Sequence, residues 1–194
     1  MRARDVDPLT IDVPERLDAG PTTLRPPAPG DGTALAEAVA ESDAALRPWF
    51  HADMAPPERE ADPRWQEAVA ARHRARFAAR ERLPYLAWDG VEAVAFVELR
   101  PDWRTGRMRL AYWVRASRHR EGIARATVGA VIAMAFDALD ARVVTTGHAE
   151  PNHASAALIA SLGFTPIARQ PMAHEMPDGE LVDGLAYALW PGVG

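Results

Sequence analysis

The sequence predicts a single α+β domain. Three observations carry that expectation. Between Tyr85 and Val114, short apolar runs are separated by turn signals at Asp89-Gly90 and around Pro101 to Gly106, the pattern of an antiparallel meander. Val128, Val131, Ile132, Ala135, Phe136 and Leu139 recur at helical spacing, and strand and helix signals alternate again after them. A chain of 194 residues has room for one sizeable core rather than two.

Taken in order, residues 1–21 carry Pro8, Pro14, Gly20 and Pro21 among scattered charges and read as an N-terminal arm without a core of its own. The domain is expected over 22–190, with 191–194 as a tail. Thr22 to Arg25 is a short strand, closed by Pro26-Pro27. Asp31 is the expected N-cap of a helix to about Ser42, with Leu35, Ala38 and Val39 as its apolar stripe. A proline-rich connection from Arg47 to Pro57 follows. Asp62-Pro63, a cap and then an N1 proline, opens a second helix to about Arg82, with Trp65, Val69 and Phe77 on one side and His73 as a packing residue. Strands are expected at 85–88, 91–100 and 107–114, then the long helix, then a strand at 142–146. A helix from about His153 ends at Gly163, and two last strands, 164–175 and 181–190, flank the turn Pro177-Asp178-Gly179.

Composition removes several chemistries. With no cysteine there is no disulfide, thiolate zinc site, iron–sulfur cluster or cysteine nucleophile. All 22 basic residues are arginine, so no lysine Schiff base forms. A net charge of -5 argues against general nucleic-acid binding, and the arginines of the 63–82 helix are read either as a solvated face or as a grip on an anionic partner. No apolar run approaches the roughly 18 residues of a membrane span, and the N-terminus lacks a signal-peptide stretch, so no membrane partner and a cytoplasmic location are expected. His148 and His153 have no carboxylate at metal-site spacing, and no metal is expected.

The feature that carries chemistry is His119-Arg120-Glu121-Gly122-Ile123-Ala124, a short turn that opens directly into the long helix. Small residues let a ligand approach the backbone, and the helix start offers unpaired N–H groups and the positive end of a dipole. Such a cradle suits phosphate or pyrophosphate, although the same turn is also met as a plain tight connection. It lacks the Gly-Lys-Ser/Thr ending of a Walker loop and the spaced glycines of a dinucleotide fingerprint.

Further along come Asn152 with Ser155 and then Leu162-Gly163-Phe164. Together with Leu24-Arg25-Pro26, Leu46-Arg47-Pro48-Trp49, Tyr112-Trp113-Val114, Asp178-Gly179, Asp183 and Tyr187-Ala188-Leu189, these segments make the chain resemble the GNAT superfamily of acyl-CoA-dependent N-acyltransferases, in its RimJ/RimL-like, ribosomal-protein-alanine acetyltransferase branch. The resemblance runs from Thr22 to Trp190.

It implies a mixed, mostly antiparallel sheet flanked by helices and splayed between the strand ending at Val114 and the strand beginning near Arg142, with acetyl-CoA in the splay. By position, backbone groups near Trp113 and Val114 would pair with the pantetheine arm. Amides from His119, Arg120, Glu121, Gly122, Ile123, Ala124 and Arg125 would hold the pyrophosphate, and Asn152 would bind the pantetheine portion. Acetyl transfer to a primary amine needs a base, an oxyanion donor and an acid for the leaving thiolate. Many relatives place an acidic tyrosine where Ile159 stands here; Ser155 matches the serine used in the RimL-like branch and is the acid candidate, or else a hydroxyl that bonds only backbone. Relatives often carry a glutamate where Arg109 stands, so the base is left among Glu98, His174 and Glu175.

His119 occupies a place the family usually gives to glutamine or arginine, which would weaken cofactor binding unless Arg118 and Arg120 compensate. Trp49, Phe50 and Tyr112 are expected beside the acceptor amine, either a protein N-terminus or a small molecule, and the acidic balance leans weakly toward a cationic one. A homodimer sharing the C-terminal strands is a further implication of the branch. The alternative of another class is a non-catalytic acyl-CoA-binding sensor of the same fold.

Overall fold

The computed structural model describes residues 6–192. One sheet of eight strands runs in the order β1-β2-β3-β4-β5-β6-β8-β7: β1 Leu17–Ala19, β2 Thr22–Arg25, β3 Leu83–Asp89, β4 Glu92–Asp102, β5 Arg107–Val114, β6 Val143–Ala149, β7 Thr165–Glu175 and β8 Leu181–Leu189. Every neighbouring pair is antiparallel except β5 and β6, which run parallel. Five α-helices accompany it: α1 Gly32–Phe50, α2 Pro57–Glu60, α3 Pro63–Ala78, α4 Ile123–Asp137 and α5 His153–Ser161. The α+β reading of the sequence agrees with this architecture.

Alternation along β4 and β5 assigns the two faces. Val97, Leu99, Met108 and Leu110 are buried in one cluster with Val128, Val131 and Ala135 of α4 and Ile159 of α5. On the opposite face Leu86, Phe96 and Trp113 join Leu35 and Ala38 of α1 and Ala70 of α3. The central strands are therefore covered by α4 and α5 on one side and by α1 and α3 on the other.

Several elements depart from the sequence expectation. The segment expected as an arm lies against the domain: Leu17–Ala19 pairs with β2, Val13 is buried, and Tyr85 donates its hydroxyl proton to the Pro14 carbonyl. Residues 1–5 of that segment and 193–194 of the expected tail lie outside the described residues. Helix α1 continues well past Ser42 and contains Pro48 in its last turn. Buried Leu46 and the i,i+4 pair of Asp43 with Arg47 hold that extension.

Asp31 does not cap α1 with its side chain. Its carboxylate, 5% exposed, accepts two bonds from Arg25 and one from the Ala28 amide. The cap comes from α3, where Glu67 accepts from the Gly30 and Gly32 amides at 2.8 and 3.0 Å. A Cβ at Gly32 would lie 2.5 Å from the Pro63 carbonyl oxygen, so glycine is required for this approach of α1 to α3. Asp62, by contrast, caps α3 as expected, accepting from the Arg64 amide.

Glu67→Ala removes the acceptor for two amides at the start of α1. It is expected to lower stability by about 1–2 kcal/mol in equilibrium denaturation.

Candidate functional site

β5 and β6 share a register only from Arg107–Val143 to Arg109–Thr145. Beyond it the Thr146 hydroxyl, not a backbone amide, reaches the Leu110 carbonyl at 3.2 Å, and the strands part. Backbone groups of alternate residues point to opposite sides of a strand. The Leu110 carbonyl faces β6, and the Arg115 amide donates to Val94 of β4, so Tyr112 and Val114 present their backbone groups to the gap. Trp113, expected to share that role, directs its backbone to β4 and its side chain to the α1 face, where it stacks with Phe96.

A cavity of about 710 Å³ fills the gap. At its mouth the chain makes a 3₁₀ turn over Ala116–Arg118, passes through Arg120 at φ +69°, and enters α4 from Gly122 at φ +79°. Among the described residues the amides from Arg120 to Arg125 donate to no protein acceptor, and a Cβ built on Gly122 meets nothing within 4 Å. The cradle read from the sequence is thus open, with the side chains of Arg120 and Arg125 on its lining.

Arg118 is not available to compensate for His119. Its guanidinium is held by Asp89, Glu92 and Glu121 at 2.7, 2.6 and 2.9 Å, which raises its pKa further. His119 directs Nε2 to the Val114 carbonyl at 3.0 Å. The turn before the cradle is anchored to α1: buried Ser42 accepts from the Ala116 amide, and Glu41 accepts from the Ser117 amide and Arg115. These donors, Ser117 foremost, hold the Glu41 carboxyl down at about 2.

Deeper in the cavity, on the α5 side, the Tyr112 hydroxyl and the Ser155 hydroxyl share a hydrogen bond of 2.7 Å. Burial raises the Tyr112 pKa against the opposing effect of that bond, so the phenol stays protonated at neutral pH. Asn152 caps α5 by accepting from the Ser155 amide at 3.0 Å, which leaves its side-chain nitrogen without a protein partner among the described residues. Ile159 is in the core. Buried His148, not singled out for chemistry in the sequence, also lines the cavity. Its Nδ1 donates to the Ala149 carbonyl, and its Nε2 lies 3.3 Å from the Tyr187 hydroxyl, on which its ring stacks.

On the α1 side the cavity is lined by Trp49, Phe50, Arg100, Arg109, Trp113, His174 and Glu175. His174 is half-buried, and burial, followed by the charges of Arg109 and His148, lowers its pKa. Glu175 is exposed at the rim. Glu98 is set apart from its fellow base candidates. It is 2% exposed, accepts from Arg100 at 2.7 Å and Arg82 at 3.2 Å, and faces a second cavity beneath α3 that also contains His73. Both arginines bond its Oε1, and its Oε2 lies 3.9 Å from His73 Nδ1. The structure thus gathers Ser155, Tyr112, Asn152, His174, Glu175 and the cradle around one cavity and leaves Glu98 outside it. Among the described residues no cluster of side chains suits a metal ion, and no helix is long and apolar enough to cross a membrane.

Comparison with known proteins agrees with this geometry. A sequence family described as "Acetyltransferase (GNAT) domain" matches residues 22–165. No curated protein matches the chain. Among solved structures, RimJ of Mycobacterium smegmatis in complex with a CoA disulfide is similar with a TM-score of 0.81 at 21% identity, covering 98% of this chain and 90% of that one. The ribosomal-protein-S5-alanine acetyltransferase of Vibrio fischeri gives 0.80 at 15% identity, covering 94% and 100%. The microcin C7 self-immunity acetyltransferase MccE, in complex with acetyl-CoA and AMP, gives 0.75 at 16%, covering 87% and 92%.

A side chain at Gly122 is strained at its positive φ whatever the space around it. Gly122→Val is expected to weaken coenzyme A binding about tenfold by calorimetry, through the roughly 1–2 kcal/mol cost of a left-handed residue at the cradle.

Proposed function

The chain belongs to the GNAT acetyltransferase family, and from that premise we propose that it transfers the acetyl group of acetyl-CoA directly to a primary amine, a protein N-terminus or a small molecule. The observation that carries this reading is the cavity between the parted strands, with an open amide cradle at its mouth and a hydroxyl pair at its base. In this reading the diphosphate of the cofactor lies on the amides of Arg120 to Arg125. The pantetheine arm lies along β5, pairing with Tyr112 and Val114, whose carbonyl it takes over from His119. Asn152 bonds the same arm through its free amide nitrogen. The thioester then sits beside Ser155 and opens toward Trp113, Trp49 and Phe50, where the amine approaches.

His174 is the base. Its lowered pKa keeps the imidazole neutral at pH 7, ready to take a proton from the ammonium, and Glu175 beside it leads that proton to solvent. The freed nitrogen attacks the thioester carbon, forming the C–N bond. A backbone N–H in the gap stabilises the oxyanion until the C–S bond breaks. The departing thiolate takes the Ser155 proton as Ser155 takes one from Tyr112, whose phenol is more acidic than an alkyl hydroxyl, and the second proton that the attacking nitrogen sheds as the amide forms returns through solvent to the Tyr112 phenolate. In this reading the tyrosine proton donor comes from β5, while the position that relatives use on α5 holds buried Ile159.

The reading includes a cytoplasmic setting and a homodimer. Support for the dimer comes from β7, which pairs only with β8 and is exposed along its length apart from His174, with Ile167 and Met172 at 49% and 65% exposure.

The direct test is thiol release from acetyl-CoA in the presence of an amine panel. Turnover is expected on at least one amine, whereas coenzyme A binding with no turnover on any would favour the sensor reading. Ser155→Ala is expected to lower kcat about a hundredfold while coenzyme A still binds. In the pH profile of kcat/KM an acidic limb is expected below 6.5, the ordinary histidine value, and it should vanish in His174→Gln.

A further inference from the structure

On the α1 side of the cavity two like charges face one another, exposed Arg109 and half-buried Arg100. Arg100 of β4 and Arg109 of β5 are direct cross-strand partners, and both line the cavity. Directly opposed side chains stand about 4.5–5.5 Å apart at Cβ, and like charges there oppose folding. The carboxylate in reach, Glu98, is shared: it accepts from Arg100 Nε and from Arg82 Nη1, with His73 Nδ1 at 3.9 Å. Arg109 makes no ion pair among the described residues, and Arg100 uses only Nε, so its two terminal nitrogens remain free. Asp53 and Glu175 also line the cavity, but both are exposed and neither lies within 4.0 Å of these guanidiniums.

The local field agrees with this accounting. His174 is held below its ordinary pKa by burial and then by Arg109, and His73, under the same face, is lowered to about 4 by burial, with Arg76, Arg72 and Arg82 adding to the effect against the opposing Glu98 carboxylate. The acidic net charge of the chain is therefore not the charge that an acceptor meets.

Placement relative to the reaction is decisive. Arg109, Ala111 and Trp113 alternate onto the α1 face of β5, whereas Tyr112 turns to Ser155 on the other. An amine that reaches the thioester from the α1 side brings its own substituents over Arg109, Arg100 and the Trp113 ring.

Building on the acetyl-transfer reading above, we propose that the acceptor is an amine bearing an anionic oxygen group, a carboxylate or a phosphate, within a few bonds of its nitrogen, and that Arg109 with Arg100 reads that group. Guanidinium binds either anion through paired N–H donors, and such charge-assisted bonds exceed neutral ones in strength. Arg109 is then a specificity determinant in the place where relatives put a base.

The experiment compares matched acceptors in the full-length protein: alanine against alaninamide for the carboxylate, and phosphoethanolamine against ethanolamine for the phosphate. In at least one pair the anionic member is expected to have about 10–100-fold higher kcat/KM, and the two pairs distinguish the anions. In Arg109→Gln the ratio within that pair should fall to about one, and Arg109→Lys should restore part of it, with thermal melting confirming that both variants are folded. Ratios near one in the wild-type protein, or a ratio that Arg109→Gln leaves intact, overturn the proposal. Should no amine be acetylated, binding of alanine and phosphoethanolamine to the protein is read by tryptophan fluorescence beside Trp113. Saturable quenching that Arg109→Gln abolishes supports the anion site although acetyl transfer has failed, and no quenching by either compound refutes it.

Discussion

The constraint on which the site depends is the early parting of β5 from β6. A parallel pair that ends after Arg109 and Thr145 leaves the backbone of Tyr112 and Val114 unpaired toward the gap, and backbone polar groups away from water need partners. The protein supplies temporary ones: the Thr146 hydroxyl at Leu110 and the His119 ring at Val114. These are side-chain contacts, separable without unravelling a ladder, so an extended ligand can take their place. β5 keeps its geometry through the gap because its other edge is paired with β4 as far as Val114. β6 is held in the same way by β8 as far as Ala149. Gly147, in β6, is needed there because a Cβ would lie 2.7 Å from the Leu185 carbonyl oxygen.

Arginine does two different jobs around this gap. Arg115 and Arg118 are tied to Glu41, Asp89, Glu92 and Glu121, and with Ser42 they fasten the turn before α4 to the end of β3, the start of β4 and α1. Their charge is neutralised and their role is mechanical: the free amides of the cradle are displayed by a turn whose own amides are satisfied. Arg120, Arg125 and Arg109 make no ion pair among the described residues and line the cavity instead. Because α1 also supplies Trp49 and Phe50, the helix that braces the cradle is also one that lines the cavity.

Much of this was legible in the sequence because it rests on local rules. The β5 strand follows from alternation between a turn and a turn, the α4 stripe from helical spacing, and the cradle from a glycine placed before a helix start. What escaped depends on contacts distant in sequence. The cap of α1 comes from Glu67 of α3, and Asp31, with the right residue type in the right place, is drawn away by Arg25. The continuation of α1 through Pro48 depends on the burial of Leu46, which overrides the usual breaking effect of proline near a helix end. β1 is too short to announce itself and exists because β2 offers it an edge. Glu98 looked equivalent to the other base candidates until the fold placed Arg82 and Arg100 against it.

The partnership of Tyr112 and Ser155 was half legible. Alternation from buried Met108 and Leu110 places Tyr112 on the α5 face, but only the packing of α5 brings Ser155 to within 2.7 Å of its hydroxyl. An acid at this site must meet the sulfur side of the thioester, and what matters is where its hydroxyl lies rather than which element supplies it. A tyrosine on α5 would arrive from the position that Ile159 fills, and Ile159 instead completes the core beneath α5. With that position committed to packing, the proposed acid is the phenol of β5, bonded to the serine. The same substitution of position for identity holds on the opposite face. There the strand position at which relatives often carry a glutamate holds an arginine, and its charge, after burial, is the next cause of the lowered His174 pKa.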